Sequence, residues 1–573
     1  MTPIRTPPYG PGTAVRPRRS VPPPQFVRPH EKKERIVSET ATDESPQQGG
    51  ISDAAVLARV WEEILGVDGV GPDDDFFSLG GDSLLAVQVV GAAKERGLRL
   101  TLLDLFKNPT PRGACTGSTT GAQDEAASEE LLTPEDRALV PDSAEAAYPA
   151  TRLQLGLIYE NLLSGGRLYI DVVSRAVTLP LDPSVLRQAV DRVTRRHPML
   201  RTGFDLTTFS EPMQVVERDV DVPVELADWT DLGPAAKAER YDEVMRSLHA
   251  PFDPEQAPLW RVHAARTGPS EFQLAYAFHH AALDGWSETV LASELIRLYA
   301  AVLRGENLEL PEPAPAEEYV RLERAALRDD ASRRFFEDLG TGPAATLPER
   351  GDGTGDPYRK ATARIPDDDI RRIQRLGAEW GIPVKSLYLA ADCAVQAALA
   401  GTTEVTVGLT VSGRPETVGS ELTLGLFLNT LPLRLDVAGA SWHTAARRAF
   451  EAENGLLGHR RFPDAEVRAL LDGIPFPTVF NYVHFHVRDR LLDTGLVTAD
   501  EDLRDTSSFP VRVEVIDDPR GRGRLLEVVV DETRYGRGTA EELLQHVLSA
   551  LHQMAEGPEE PALAGLLERV GSR

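Results

Sequence analysis

The stretch AFHHAALDGWS, Ala277 to Ser287, joins a strand pattern to a helix pattern and decides how the middle of the chain folds. In the preceding EFQLAYAFHH, every second residue is apolar or aromatic, which predicts a strand with Phe272, Leu274, Tyr276, Phe278 and His280 on one face. After Ser287, apolar residues recur at helical spacing, namely Leu291, Leu295, Leu298 and Val302. The sequence therefore predicts a strand, a tight Asp-Gly turn and a helix.

Two adjacent histidines, His279 and His280, stand at the end of this predicted strand. Neighbouring strand residues point to opposite faces, so one imidazole can face a cavity while the other faces the sheet. A histidine pair at a strand end is more often structural than catalytic, although a strand end followed by a turn is also where chemistry is commonly displayed. If Asp284 is buried it needs a partner, and an arginine would satisfy it.

Length and composition limit the classes of protein to which the chain can belong. With 573 residues it is too long for one core, and 41% hydrophobic and 26% charged residues are typical of a globular protein. A net charge of -27 disfavours binding to nucleic acid or an anionic membrane. Cys115 and Cys393 match no disulfide framework or metal-ligand spacing, so we expect no metal site. Without a signal peptide or a membrane-spanning segment, we expect a cytoplasmic protein. We also expect a monomer.

Changes in composition along the chain predict five regions. The first is rich in proline and arginine, lacks apolar periodicity and should be disordered. A small-residue, acidic linker separates a helical bundle from a large α/β region, which a Pro-rich break near residue 310 divides into two lobes. The predicted boundaries are 1–50 for the disordered segment, 51–113 for the bundle, 114–144 for the linker, 145–308 for the N-terminal lobe and 309–573 for the C-terminal lobe.

The bundle contains a serine in a distinctive setting. Its first helix should start after Ser52 and stop at Gly66, and a second should open at Ser83 in FFSLGGDSLL. Gly80 and Gly81 allow a bend there without steric cost, and serine is a common helix N-cap. From these residues alone, capping explains Ser83 better than function does.

The wider stretch DDDFFSLGGDSLLAVQVV, within a small four-helix pattern, resembles the peptidyl carrier domains of nonribosomal peptide synthetases. The resemblance covers about residues 50 to 112 and implies that Ser83, flanked by Asp82 and Leu84, carries 4′-phosphopantetheine. A phosphodiester on Ser83 would lie at a helix N-terminus, where backbone N–H groups favour anions.

The large region resembles condensation domains of the same synthetases. HHAALDG matches their HHxxxDG motif, and the family's other motifs occur in order along the chain: YPATRLQLGLIY with Gln154 and RRHPMLRTGF before it, then VTVGLTVSGR and LGLFLNTLPLR after it. A looser match is HRRFPDAEV. The resemblance covers about residues 140 to 560 and implies two chloramphenicol-acetyltransferase-like lobes in a V, preceded by a small all-α bundle of four helices. The active site should lie in a tunnel between the lobes.

The resemblance also implies a role for each motif residue. The catalytic group would be His280 with His279, Asp284 and Gly285, in which His280 acts on the substrate, His279 orients it, Asp284 pairs with an arginine and Gly285 lines the tunnel. Arg201 and Arg414 are the two candidate partners of Asp284, and both stay open here. Trp286, Ser287 and Asn429 are implied as structural or tunnel-lining residues.

Amide formation from a donor thioester is the implied activity. The carrier would hold the donor, and the acceptor would be an amine, either free or on a second carrier protein. An amine is partly protonated near neutral pH, so a neutral imidazole could accept its proton or position it. A phosphopantetheinyl transferase and an adenylating enzyme or upstream module would modify and load Ser83. The alternatives are epimerisation of the carrier-bound residue, non-catalytic recruitment of another enzyme, and an unrelated acyl transfer.

Overall fold

The structure is a computed structural model that describes residues 52–562, except 82, 117–129, 341, 343–346, 355–356, 472, 474–475, 484–485, 506–507 and 519–522. Four sequence predictions fall wholly or partly on undescribed parts of the chain: disorder of residues 1–50, the role of Asp82, the side chains of Ser83 and Leu84, and the flexible linker over residues 117–129. Within the described residues, no helix combines the length and apolarity needed to cross a membrane.

Eighteen α-helices are found in the described residues. They are α1 Asp53–Leu65, α2 Ser83–Glu95, α3 Leu102–Lys107, α4 Pro111–Thr116, α5 Pro134–Arg137, α6 Arg152–Leu163, α7 Pro183–Arg196, α8 Pro234–Leu248, α9 Gly285–Leu303, α10 Glu317–Leu327, α11 Asp330–Leu339, α12 Asp367–Trp380, α13 Val384–Ala400, α14 Trp442–Leu457, α15 Asp464–Leu470, α16 His486–Asp493, α17 Glu532–Tyr535 and α18 Thr539–Glu556. Two 3₁₀ turns occur at Pro198–Arg201 and Ser420–Leu422.

Fourteen strands complete the described secondary structure. They are β1 Ala144–Pro149, β2 Ile170–Val177, β3 Thr202–Asp205, β4 Met213–Glu217, β5 Val224–Asp228, β6 Trp260–Gly268, β7 Glu271–His279, β8 Arg359–Arg364, β9 Glu404–Ser412, β10 Leu428–Asp436, β11 Thr478–Val483, β12 Val497–Arg504, β13 Val511–Asp517 and β14 Arg524–Val530.

Helices α1 to α4 form the N-terminal bundle, which packs around Trp61 and Phe76. The Ser52 side chain caps α1, and Gly66 ends it in the left-handed conformation, as the sequence predicts. At Gly81, an added Cβ would lie 2.4 Å from the Phe76 ring, so only glycine fits the approach to α2. The last helix corrects the predicted linker boundary at residue 114, because Ala114 lies in α4 and is fully buried in the bundle core.

The N-lobe is built on a five-stranded sheet with strand order β12-β2-β7-β6-β5. Helices α7 and α9 cover one face of this sheet, where the alternating side chains Phe272, Leu274, Tyr276 and Phe278 of β7 are buried. Helix α8 covers the other face against Ala275 and Ala277. The predicted strand and helix on either side of the Asp-Gly pair are therefore confirmed, although β7 ends one residue before His280.

The C-lobe is built on a six-stranded sheet with strand order β10-β9-β11-β13-β14-β8. Helices α13, α14 and α18 bury one face of it. The opposite face presents polar side chains, including Asn481, Arg512, Glu514 and Glu527, to a cavity between the lobes.

One strand of the N-lobe sheet comes from the C-terminal part of the chain, so a single boundary near residue 310 does not separate the two lobes. Strand β12 comes late in the sequence but pairs antiparallel with β2 of the N-lobe, for example Leu503 with Val173. Alternating apolar and polar residues predict a strand but not its partner, so sequence periodicity could not assign β12 to the other lobe.

Candidate active site

The loop between β7 and α9 is fixed at both ends by its backbone. The N–H of His279 donates to the Leu259 carbonyl at 3.0 Å, and the N–H of His280 donates to the Tyr169 carbonyl at 2.8 Å. Gln154 caps α6 through the capping box with Thr151, and its side-chain amide donates to the Ala281 carbonyl at 3.1 Å. The opening motif of the large region therefore supports the histidine loop directly.

Asp284 begins α9 and joins it to the segment that connects β9 to β10. Its Oδ1 accepts the Ser287 N–H at 2.7 Å and a guanidinium N–H of Arg414 at 3.2 Å, while Oδ2 accepts the Phe427 N–H at 3.1 Å. Asp284 and Arg414 are each 1% exposed. Arg414 also donates to the carbonyls of residues 420 and 423 and lies over the Phe427 ring. Each of the two buried charges is thereby compensated, which offsets the cost of burying either group alone.

His279 is fully buried, and its surroundings favour the neutral ring. Its Nδ1 accepts the Ala281 N–H at 3.1 Å, so the proton must be on Nε2. Burial, and then the neighbouring His280, lower the pKa of His279 to about 4. The ring therefore braces the loop and does not reach the cavity.

His280 lines the cavity, and 26% of its side chain is exposed. Its Nδ1 lies 2.7 Å from Oδ2 of Asp171, and its ring stacks on Tyr169 with centroids 6.5 Å apart. Burial lowers the pKa of His280, but the negative charges of Asp171, Asp284 and Asp505 outweigh this effect and raise the pKa above its usual value.

The cavity has a volume of about 1190 Å³ and lies between the lobes. Its wall includes Gly285 and Trp286 beside His280, and charged side chains from the C-lobe sheet. It also reaches Phe77, Gly80 and Gly81 of the bundle, and Gly81 stands two residues before Ser83. One continuous space therefore joins the approach to α2 with the imidazole of His280.

The bundle lies against the C-lobe beside this space. The Lys94 ammonium donates to the Glu416 carbonyl at 3.5 Å, and the Phe77 and Phe450 rings meet edge to face with centroids 6.0 Å apart. Gly91 approaches the backbone so closely that a Cβ there would lie 3.1 Å from the Thr417 carbonyl carbon. These contacts fall on α14 and on the segment between β9 and β10.

In the structure, some of the predicted site residues line the cavity and others do not. His280, Asp284, Gly285, Trp286 and Arg414 line the cavity. The structure resolves the two candidate partners of Asp284 in favour of Arg414, and Arg201 instead contacts Glu145 at 2.8 Å.

Ser287 and Asn429 act one layer behind the wall. The Ser287 hydroxyl donates to the Gly425 carbonyl at 2.8 Å. Asn429 donates to the carbonyls of residues 460 and 462, and its own carbonyl oxygen accepts the Asp464 N–H at the start of α15. Both are held by hydrogen bonds from segments distant in sequence.

Sequence reasoning missed Asp171, Tyr169 and Asp505, which all face His280. None belongs to a motif quoted above, and Asp171 precedes His280 by 109 residues. The β-branched residues of β2, Ile170, Val172, Val173 and Val177, were the available signal, since they favour a strand, but they do not give the register that brings Asp171 beside β7.

Comparison with protein-family models places a condensation domain at residues 144–564 and a phosphopantetheine attachment site at residues 55–116. The chain is 34% identical over 477 residues to the AMB antimetabolite synthetase AmbE of Pseudomonas aeruginosa, an alignment that covers 79% of this chain and 22% of that protein. It is 25% identical over 534 residues to bacitracin synthase 1 of Bacillus licheniformis, covering 88% of this chain and 9% of that protein. The chain thus spans a small part of the length of these relatives.

Among solved structures, the first condensation domain of the calcium-dependent antibiotic synthetase is similar to this chain with a TM-score of 0.60 and 20% identity. That match covers 73% of this chain and 99% of the solved domain. The predicted fold, a helical bundle followed by two chloramphenicol-acetyltransferase-like lobes, is confirmed. With its bundle matched to the phosphopantetheine attachment family and its lobes to condensation domains, the chain belongs to the condensation-domain family, as a carrier–condensation didomain of the nonribosomal peptide synthetase type.

Proposed function

We propose that this chain forms an amide bond by transferring an acyl group from Ser83 of its own carrier to an amine that enters the cavity between the lobes. The observation that carries this proposal is the continuous cavity, which reaches from Gly81 to His280. The seating of the carrier on the condensation domain supports a donor role for its cargo, because α2 opens toward the same space.

The carrier offers a suitable place for 4′-phosphopantetheine. Ser83 is the first residue of α2, a helix of 13 residues whose first turn contains no acidic side chain. Backbone N–H groups at such a terminus favour a phosphodiester. Gly80, with φ +95°, and Gly81 add no side chain of their own to the approach to α2. When bound, the group supplies the thiol on which the acyl group is activated as a thioester.

His280 is proposed to manage the proton of the acceptor amine. An α-amino group has a pKa of about 7.7 to 8.0, and its nitrogen must lose a proton as the amide forms. The neutral imidazole can accept that proton, and the residues around it hold the ring at one position. Thioester aminolysis is also accelerated by holding the two reactants together, a role that the narrow space around His280 would fill.

The neighbouring residues are proposed to shape the site without touching the reacting atoms. His279 braces the loop, and Asp284 with Arg414 joins the start of α9 to the wall segment, residues 413–427, which connects β9 to β10. Gly285 and Trp286 line the path, and the indole N–H of Trp286 donates to the Glu421 carbonyl at 2.8 Å.

Several partners follow from this proposal. A phosphopantetheinyl transferase would modify Ser83, and an adenylating enzyme or upstream module would load it. The acceptor would be a free amine or the cargo of a second carrier protein.

The test is the intact mass of the modified, acylated chain during incubation with candidate amines in D₂O. We expect acyl mass to leave Ser83 only when an acceptor is present, and the His280→Ala chain to retain it while loading normally. Retention of the acyl group with uptake of one non-exchanging deuterium would instead establish epimerisation. Full loading with neither change across a panel of amines and aminoacyl carriers would favour a recruitment role.

A further inference from the structure

We propose that Asp171 is a positioning residue for the reaction, which holds Nδ1–H of His280 and thereby leaves Nε2 as the nitrogen that accepts the amine proton. This inference rests on the proposed function. It adds a residue outside the HHxxxDG motif to the machinery of the site, and assigns it a task that the motif residues do not perform.

The geometry of β2 places Asp171 for this task. Asp171 is the second residue of the strand and pairs with Phe278 of β7, two residues before His280. Its carboxylate is 9% exposed and lies 2.7 Å from Nδ1 of His280. Among the described residues, no hydrogen-bond partner is seen for Nε2 of His280, whose ring lines the cavity. The contact between Asp171 and Nδ1 therefore fixes the orientation of the imidazole ring.

The residue just before this strand, Tyr169, supports the same arrangement. Tyr169 has φ +61°, a left-handed conformation that is rare for a side chain of its size. It receives the His280 N–H on its carbonyl and stacks its ring on the imidazole. Its hydroxyl donates to Glu160 at 2.7 Å and contacts the Ser508 hydroxyl at 2.7 Å. Backbone strain of this kind persists where surrounding contacts enforce it, and it concentrates at functional sites.

The other charges around His280 are already neutralised by cations. Asp284 is paired with Arg414, and Asp505 is paired with Arg512 at 2.5 Å and with Lys360 at 3.8 Å. Among the described residues, Asp171 has its ion pair with His280 alone. His249 also senses the charge of Asp171, but burial lowers the pKa of His249, and His279 is neutral for the same reason. Of the carboxylates of Asp171, Asp284 and Asp505, that of Asp171 is thus the one that pairs with the imidazole.

The contact between Asp171 and Nδ1 of His280 has two chemical consequences. A carboxylate that accepts Nδ1–H fixes the neutral tautomer with its lone pair on Nε2, and it stabilises the imidazolium once the proton has been taken. Proton transfer moves one proton from the amine nitrogen to Nε2 and leaves Asp171 ionised throughout. The same contact favours the protonated ring, in line with the raised pKa of His280.

Asp171→Asn tests the proposal because it keeps the shape of the side chain and removes its charge. An asparagine can donate its amide N–H to Nδ1 and stabilise the wrong tautomer. We expect single-turnover transfer at pH 8 to fall by about 10- to 100-fold, within the range of general acid–base effects. We also expect the rising limb of the pH–rate profile to move to lower pH, since His280 loses a negative neighbour. Two acceptor amines of different pKa separate this limb from ionisation of the amine.

The matched control is Asp369→Asn. Asp369 is buried and contacts a histidine, His552, at 3.1 Å, but neither residue lines the cavity. This variant should keep the wild-type rate and pH profile. Wild-type rates and an unmoved limb in Asp171→Asn would overturn the proposal while leaving the proposed function intact, because the parent chain would still transfer its acyl group.

A second measurement decides the matter even if no tested amine is accepted. In a double-mutant cycle with His280→Ala, melting temperatures should show coupling between residues 171 and 280 that is larger at pH 6 than at pH 9. The sign follows because a histidine with a raised folded-state pKa adds stability below its unfolded pKa, and that stability is lost as the pH rises through the folded value. Absence of coupling at both pH values would contradict the proposal.

Discussion

The histidine loop and the seat of the carrier use the same wall segment, residues 413–427, in opposite ways. The loop is bound to it by a buried network in which Asp284 accepts three hydrogen bonds and Arg414 is 1% exposed. The carrier meets it at the surface, where the Lys94 ammonium lies 3.5 Å from the Glu416 carbonyl and Gly91 closely approaches the Thr417 backbone. Contacts of the first kind fix a geometry, whereas contacts of the second kind can be broken and remade. We infer that this segment provides both a rigid support for catalysis and a landing site for delivery.

Removing His280 should produce the largest effect on either region. With His280→Ala, we expect transfer to fall by about 10²- to 10⁴-fold, the range for loss of a general base. Loading of Ser83 should change little, whereas the melting temperature should fall modestly at pH 6, because the variant loses the ion pair with Asp171. Single-turnover mass spectrometry measures the transfer. A well-folded variant that transfers at the parent rate would remove the histidine from the mechanism.

Breaking the buried network should come next. Arg414→Met leaves the Asp284 carboxylate buried without its cation, which should cost about 3–5 kcal/mol of stability. Chemical unfolding of the holo chain measures this cost. Arg359→Met is the control, because Arg359 pairs with Glu541 where both side chains are about half exposed. If the two variants lose the same free energy of unfolding, the claim that the buried network rigidly supports the histidine loop is wrong.

Disturbing the carrier seat should have a smaller and more selective effect. Gly91→Leu crowds the Thr417 backbone, and a clash of this size should lower transfer from Ser83 by about tenfold. Transfer from a free acyl-pantetheine thioester, which needs no docking, should be unchanged. Equal loss from both donors would mean that the substitution damages the catalytic domain.

A charge change at the seat should act more weakly still. Lys94→Glu replaces the half-buried cation near the Glu416 carboxylate with a second carboxylate and should slow transfer from Ser83 by about two- to fivefold. Arg59→Glu, the same change on exposed residue 59 of α1, provides the matched control. Identical rates for the two variants would show that Lys94 does not guide docking.

The same contrast explains what the sequence could reveal. The histidine loop was predictable because β7, the turn and α9 are continuous in the chain, and their patterns are local. The choice between Arg201 and Arg414 was not, since it depends on how the segment after β9 folds back onto α9. Asp171 and strand β12 were missed for the same reason: strand register and strand partners are set by packing, which a single sequence does not display.

The proposed mechanism depends most on one premise, that the cargo of Ser83 is the donor for His280 of the same chain. The direct measurement is the rate at which acyl mass leaves Ser83, at a saturating concentration of acceptor, over a hundredfold range of protein concentration. We predict a rate constant that does not change with protein concentration. A rate constant that rises with protein concentration would place donor and histidine on different chains, and a gain of mass on Ser83 from an added acyl thioester would make its cargo the acceptor.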